Sequence, residues 1–397
     1  MDAFATMSAL RLRALRPVGD SIILQSDAQE TLLEALLHTD RYHIRWLNSG
    51  TEALALALLL AKKSNGVAKP EVILPAYGCP DLIAAALFAN VRPVLVDIQR
   101  DSPNFDIEQL AATLNPTTIA IVAATFLGIR GDPTKLRSII GDRPIALIED
   151  SAQWLPRHAG QDFFGDHVAL SFGRGKPLNL LGGGALLTLK AINKPVLPSL
   201  AIAEEHGGHR ARFIAKALAY NLLIHPLFYG LLEKIPQLKI GETRFHALGN
   251  IHPLNPTARK LLHANLRRFC TRDLDTQRRW TDLFIKLHEK SSSAVSLALH
   301  NRVPADYALL RYPILIADQA LRDCIYAELR AQGLGASVMY PAALPELPGI
   351  PTDTYRVSSY ANARQFAQRL LTLPTHRAVS SSSISRSAAI FEKLTLG

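Results

Sequence analysis

The sequence predicts an α/β protein, with a mainly parallel central sheet flanked by helices and a smaller α+β domain at its C-terminal end. Two observations predict it. From about residue 43 to 190, short β-branched or apolar runs alternate with helical patterns. That βαβα order gives parallel strands with helices on both faces. Beyond residue 256 the order changes to long helical stretches around a strand. The expected division is an N-terminal arm (1–30), a large α/β domain (31–255) and a smaller domain (256–397). A hydrophobic helical insertion, at about 205–240, is expected within the large domain.

Taken in order, the expected strands are His43–Leu47, Glu71–Leu74, Pro93–Val96, Ile119–Ala123, Ile145–Ile148, Val168–Phe172 and Ala185–Leu189. Helices are expected at Thr51–Lys63, Pro80–Ala89, Ile107–Leu114 and Pro133–Ile140. Two of these open on Pro, which suits a first helical turn. Residues 191–250 are less regular. A single long helix is expected over Thr257–Glu289, ended by Ser291-Ser292-Ser293. A strand (Tyr307–Ile316), a helix (Ala320–Gln332), a helix near Tyr360–Leu371 and a polar loop at Ser380–Ser383 complete the chain.

Composition bounds the function. The 397 residues are 48% hydrophobic and 20% charged, which is globular usage. The net charge of +10 invites anionic partners, yet Lys and Arg are scattered. The densest group, Arg267-Arg268, Arg272 and Arg278-Arg279, lies on one expected helix, and no zinc-finger or RNA-binding signature is present. Cys79, Cys270 and Cys324 are odd in number and far apart, which disfavours a disulfide framework and a cysteine metal site. No signal-peptide pattern opens the chain, so the cytoplasm is the expected compartment.

In open α/β sheets, ligands bind beyond the carboxyl ends of the strands, and three motifs sit there. Ser49-Gly50-Thr51 ends a strand and opens a helix, where free N–H groups and a hydroxyl make an anion site. An ordinary serine helix cap explains the same residues. Ile148-Glu149-Asp150 ends an apolar strand in two carboxylates. One of these could keep a pyridine nitrogen protonated, or could cap a helix or hold a metal. Ser171-Phe172-Gly173-Arg174-Gly175-Lys176 places a lysine on a glycine-flanked loop after a strand, a setting that suits Schiff-base chemistry. Pro177 after Gly175-Lys176 breaks the P-loop pattern, and no dinucleotide glycine fingerprint precedes a helix.

The order and spacing of the three motifs, with Ser171 following Asp150 by 21 residues, resemble the DegT/DnrJ/StrS family of sugar aminotransferases. Pro75–Pro80, Pro93–Ile98, Val338–Pro341 and Leu371–His376 resemble further signatures of that family. The resemblance implies the pyridoxal-phosphate-dependent transferase fold type I and pyridoxal 5'-phosphate as cofactor. It implies that Lys176 forms the Schiff base and shuttles a proton, that Asp150 pairs with the ring nitrogen, and that Gln153 lies near the ring hydroxyl. Gly50, Thr51 and Ser171 would bind the phosphate, Ser49 would be a further cofactor-binding residue, and Tyr77 or a neighbour would stack on the ring. Asn255 would reach the cofactor phosphate of the other subunit of a homodimer. Glutamate as donor and a nucleotide-linked keto-sugar as acceptor follow from the same resemblance, with polysaccharide or cell-envelope glycan as the destination. No metal is expected.

This chain departs from the family at Gly173, where His is usual, and at Leu181-Gly182-Gly183-Gly184, which loses a carboxylate. It departs again at Thr257 and Lys260. Another carbonyl or a lipid-linked substrate, or a non-catalytic protein that kept the fold, are the rival readings. A further feature is the run Ala217–Leu232, without a charged residue and broken by Pro226. At 16 residues it is short of the roughly 20 that span a bilayer. It reads either as a buried or interface helix pair, or as an interfacial patch around 210–236 that gives weak contact with the inner membrane surface.

Overall fold

The computed structural model describes residues 13–26, 31–192, 207–233, 235 and 243–396. Among them the chain runs α1 (Thr31–Leu36), β1 (Tyr42–Leu47), α2 (Gly50–Asn65), β2 (Glu71–Pro75), α3 (Asp81–Phe88), β3 (Arg92–Val96) and α4 (Ile107–Thr113). It continues with β4 (Thr118–Ala124), α5 (Pro133–Ile140), β5 (Ala146–Asp150), β6 (His167–Ser171), β7 (Gly184–Leu189), α6 (Gly207–Leu223) and α7 (Pro226–Leu232). The C-terminal part holds α8 (Pro256–Cys270), α9 (Asp275–Lys290), β8 (Val295–Ser296), β9 (Arg311–Ile316), α10 (Gln319–Ala331), β10 (Arg356–Val357), α11 (Ala361–Arg369), β11 (Leu370–Pro374) and α12 (Ser381–Leu396).

The main sheet has the order β1-β7-β6-β5-β4-β2-β3-β10. From β6 to β10 its neighbours are parallel, and β7 and β1 close one edge antiparallel. The parallel strands are apolar at nearly every position because both faces are covered. Leu74, Val122 and Ala169 face a core shared with α2 and α3, while Ile73, Ile121 and Leu147 face one shared with α4 and α5. Helix α2 fits its place because alanines alternate with leucines along Ala53–Ala61, all but Leu59 buried against the sheet.

A second, three-stranded sheet, β11-β9-β8, packs with α9, α10 and α12 around Trp280, Phe284, Ile314 and Phe391. Helix α8 buries Ala258, Leu261, Leu262 and Leu266 in a cluster with β6 and β7, so the change of packing partner comes after α8. The single helix expected over 257–289 is therefore two. The break at 271–274 holds no Gly or Pro, and tertiary packing makes it. Leu274 is buried, and the buried Arg272 guanidinium donates to the Thr375 carbonyl.

Two further expectations are corrected. Ser381–Ser383 open α12, and Ser380 precedes it, its hydroxyl accepting from the Ser383 N–H at 3.1 Å in the manner of a helix cap. The helix expected to Leu371 stops at Arg369, and Leu370–Pro374 pairs antiparallel with β9.

The glycine run before β7 has a packing reason. Gly184 sits between Leu47 of β1 and Ser171 of β6. A Cβ there would lie 2.5 Å from the Ser49 carbonyl and 2.6 Å from that of Leu170. Gly184→Ala is expected to cost at least the ~1–3 kcal/mol typical of overpacking, because both obstacles are backbone. Gly249→Ala, with nothing within 4 Å of its added methyl, is the matched control. Urea unfolding that shows equal stability for the two variants would contradict the packing argument.

Candidate active site

The strands deliver side chains to one cavity at their carboxyl ends. It is lined by Gly50, Thr51 and Leu54 from α2, by Gly78, Cys79, Asp81 and Leu82 after β2, and by Ala124, Thr125 and Phe126 after β4. Asp150, Ala152 and Gln153 at the end of β5, Ser171 and Lys176 after β6, and Tyr340 complete it. All three sequence motifs meet here.

Strand alternation sorts the two acids. Asp150 pairs in register with Ala124 and Ala169, and Ser171 lies two residues beyond Ala169, so Asp150 and Ser171 share the face that looks toward α2. Asp150 accepts the Ala152 N–H at 3.1 Å. One side of it borders the cavity and protein encloses the rest, so burial raises its carboxyl above the usual range, with Lys176 nearby opposing that rise. Glu149 faces the other way and is fully buried. It receives the Phe164 N–H at 2.7 Å, the Gly165 N–H at 3.3 Å and Arg130 at 3.4 Å. That acid is structural.

The Ser49-Gly50-Thr51 motif divides between its two readings. Ser49 caps α2 by accepting the Glu52 N–H at 3.1 Å, and the Glu52 carboxylate accepts from Asn48 N at 3.2 Å and His252 N at 2.9 Å. Ser49 is a cap and does not line the cavity. Gly50 and Thr51 do line it. A Cβ on Gly50 would lie 2.6 Å from the Ser171 Cβ, so only glycine lets the helix start approach the end of β6 this closely. The Thr51 hydroxyl donates to Asp81 at 2.9 Å.

Lys176 reaches the cavity on a turn closed by its own N–H to the Gly173 carbonyl at 3.3 Å. Gly175, at φ +75, makes that turn possible. Gln153 is buried. It accepts the Leu127 N–H at 3.1 Å and extends its amide to the Tyr340 hydroxyl at 3.3 Å.

Tyr77 and Asn255, like Ser49, do not line this cavity. Tyr77 is buried behind the wall, edge-on to Phe126, Tyr340 and Phe366, and donates to the Tyr340 carbonyl at 3.1 Å. Its neighbour Cys79 is the residue that borders the cavity. Burial, with Asp81 nearby, pushes the Cys79 thiol up to about 12, so it stays protonated at neutral pH. Asn255, expected at the cofactor of the other subunit, caps α8, accepting from Thr257 N at 2.9 Å and Ala258 N at 3.2 Å, and does not line this chain's own cavity.

Cys79, Asp81, Thr125, Phe126 and Tyr340 line the site without having been singled out as site residues. Asp81 opens α3, six residues past the end of β2, where an acid reads as an ordinary first-turn helix residue. Tyr340 stood in the Val338–Pro341 signature, but only the fold brings it across. Among the described residues there is no group of three or more His, Cys, Asp or Glu placed to hold a metal ion.

The sequence pattern of the DegT/DnrJ/EryC1/StrS aminotransferase family matches residues 25–225 and 253–392. Over 373 residues, 90% of this chain and 86% of the relative, the sequence is 25% identical to dTDP-4-dehydro-2,3,6-trideoxy-D-glucose 4-aminotransferase of Saccharopolyspora spinosa. A stretch of 160 residues is 30% identical to 3-amino-5-hydroxybenzoate synthase of Amycolatopsis mediterranei (strain S699), covering 39% of this chain and 40% of that relative. The fold is similar to that of DesI, solved in the presence of its TDP-sugar product, with TM-score 0.67, 20% identity and coverage of 99% of this chain and 95% of that one. It is also similar to NtdA from Bacillus subtilis with bound cofactor PMP, with TM-score 0.66, 18% identity and coverage of 93% and 76%. The expected α/β transferase fold is the one observed, and the chain belongs to the DegT/DnrJ/EryC1/StrS aminotransferase family.

Proposed function

We propose that the chain is a pyridoxal-phosphate-dependent aminotransferase. In this reading it moves an amino group, from glutamate, to a nucleotide-linked keto-sugar used in polysaccharide or cell-envelope glycan synthesis. The observation that carries the reading is the meeting of Lys176, Asp150 and the glycine-opened start of α2 in one cavity. The relatives' names, which speak of a dTDP-linked sugar and of bound PMP, support the substrate class and the cofactor.

The residues present fit that cofactor. Asp150 is a half-buried carboxylate at the cavity, raised above its usual range by desolvation, and a ring cation beside it would relieve that rise. Gly50 and Ser171, with the first turn of α2, offer a close approach for a phosphate. The Thr51 hydroxyl, which donates to Asp81 at 2.9 Å, would join them if it turned to the phosphate. When bound, pyridoxal phosphate supplies a carbonyl carbon that carries the amino group and a ring that accepts an electron pair. Lys176 would be the group that moves a proton, through its Nζ, and Asp150 would be the carboxylate that holds the ring nitrogen protonated. Phe126, Leu54 and Leu82 exclude water, while Gln153 fixes the Tyr340 hydroxyl at the cavity wall.

Purified protein is expected to be yellow. In a donor–acceptor screen read by mass spectrometry, it should pass nitrogen from glutamate to a nucleotide-linked keto-sugar. Colourless protein that takes up no added cofactor would contradict the reading. The enzyme is proposed to work as a homodimer in the cytoplasm, with contact at the inner membrane surface. Sedimentation at working concentration should show a dimer, and an active monomer would exclude a shared site. A lipid-linked acceptor is the second reading, favoured by the exposed apolar side chains of residues 218–235. The same screen separates the two by including such an acceptor.

A further inference from the structure

Seven large hydrophobic side chains stand exposed among the described residues. Six of them, Leu218, Leu222, Leu223, Phe228, Leu231 and Ile235, fall on one short stretch of chain. Scattered exposed leucines are ordinary, whereas a contiguous group of them marks an interaction surface. Leu218 and Leu222, one helical turn apart on α6, are 55% and 53% exposed.

The opposite face of α6 is firmly anchored, so these side chains are held outward. Phe213, Ile214, Ala217 and Tyr220 pack into the cluster beneath β6 and β7. The Asn221 side chain accepts the Ile22 N–H at 2.7 Å and donates to its carbonyl at 2.9 Å. Arg16 donates to the Ile224 carbonyl at 3.0 Å. The outer surface of α6 therefore carries Leu218, Leu222 and Leu223, with Arg210, Arg212 and Lys216 exposed beside them.

From Gly207 to Leu232 the sequence contains no Asp or Glu. Among the described residues, no helix is long and apolar enough to cross a membrane. The match to the family pattern is interrupted over 226–252.

We propose that the outer face of α6 and α7 lies in the plane of an anionic lipid surface, its leucines and Phe228 in the headgroup–acyl boundary and its arginines and lysine against the headgroups. The charge pattern selects this occupant over a second copy of the chain. A symmetric contact would bring two sets of Arg210, Arg212 and Lys216 together, with no acid on the element to offset them. The inference does not depend on which acceptor the enzyme uses.

The test is vesicle co-sedimentation of the full, cofactor-loaded chain. Phosphatidylcholine vesicles are compared with phosphatidylcholine–phosphatidylglycerol vesicles at low and high salt. Wild type should pellet with the anionic vesicles and release with salt. Leu218→Gln/Leu222→Gln should weaken binding about tenfold or more, at unchanged melting temperature and visible spectrum. Arg212→Glu/Lys216→Glu, which leaves the apolar face intact, should abolish the preference for anionic vesicles and decides the matter if the leucine pair unfolds. Wild type that stays in solution with both vesicles, or binds both equally, overturns the proposal. So does a leucine pair that dissolves a higher oligomer without changing vesicle binding, which would assign the face to contact between copies.

Discussion

Lys176→Ala is expected to abolish amino transfer while the protein stays folded and still takes up cofactor non-covalently. The side chain is only half-buried, and its loop keeps the backbone turn to Gly173 after truncation. Stability should thus change by no more than the roughly 0.5 kcal/mol typical of a surface substitution. Turnover should fall on the order of 10⁴-fold or more, the upper end for a positioned proton-transfer group, because the same amine also makes the covalent bond. Among the described residues, the other acidic side chains that line the cavity are Asp81, Asp150, Cys79 and Tyr340. Burial holds the Cys79 thiol and the Tyr340 phenol in their neutral forms, so neither takes over as base. Borohydride treatment should fix cofactor to the wild-type chain and leave the variant unmodified. Comparable fixation and turnover in both would place the chemistry on another lysine.

The parts of the site that the sequence disclosed are those where a single local signal coincides with a strand end. Asp150, Ser171 and Lys176 each lie at or just after an apolar run, and the register of β5 and β6 puts them together. Ser49 and Tyr77 show the limit of that logic. Both belong to post-strand motifs, but Ser49 faces the backbone it caps and Tyr77 turns into an aromatic cluster with Phe126, Tyr340 and Phe366. Sequence position alone does not distinguish a side chain aimed into a cleft from one aimed beneath it.

Tyr340 enters from nearly two hundred residues beyond Asp150, and only its hydrogen bond with Gln153 and its packing on Tyr77 reveal it. The split of α8 from α9 was invisible for a related reason. Both halves are amphipathic, and the break depends on the contact between Arg272 and Thr375. The strand β11 follows α11 with no breaker residue between them, and its identity comes from pairing with β9.

Asp150→Asn is expected to fold, to bind cofactor and to lose turnover on the order of a hundredfold to a thousandfold, roughly 3–4 kcal/mol at the barrier. The amide is nearly isosteric with the carboxylate and can still accept the Ala152 N–H through its oxygen, so the end of β5 is preserved. What it removes is charge. The wild-type cavity holds Asp150 and Asp81 against Lys176, and burial already works against a charged Asp150. A cation on the ring would be the partner that makes that carboxylate favourable. Asparagine cannot hold such a cation, so the ring would lose its capacity to accept electrons while its binding through Gly50 and Ser171 remained. The signature is a fall in kcat with cofactor affinity little changed, accompanied by a shifted visible absorption band. Asp81→Asn gives the contrast, since that carboxylate contacts Thr51 at 2.9 Å and its loss should act on cofactor affinity first. If Asp150→Asn kept its kcat and Asp81→Asn lost it, the carboxylate at the ring nitrogen would be Asp81.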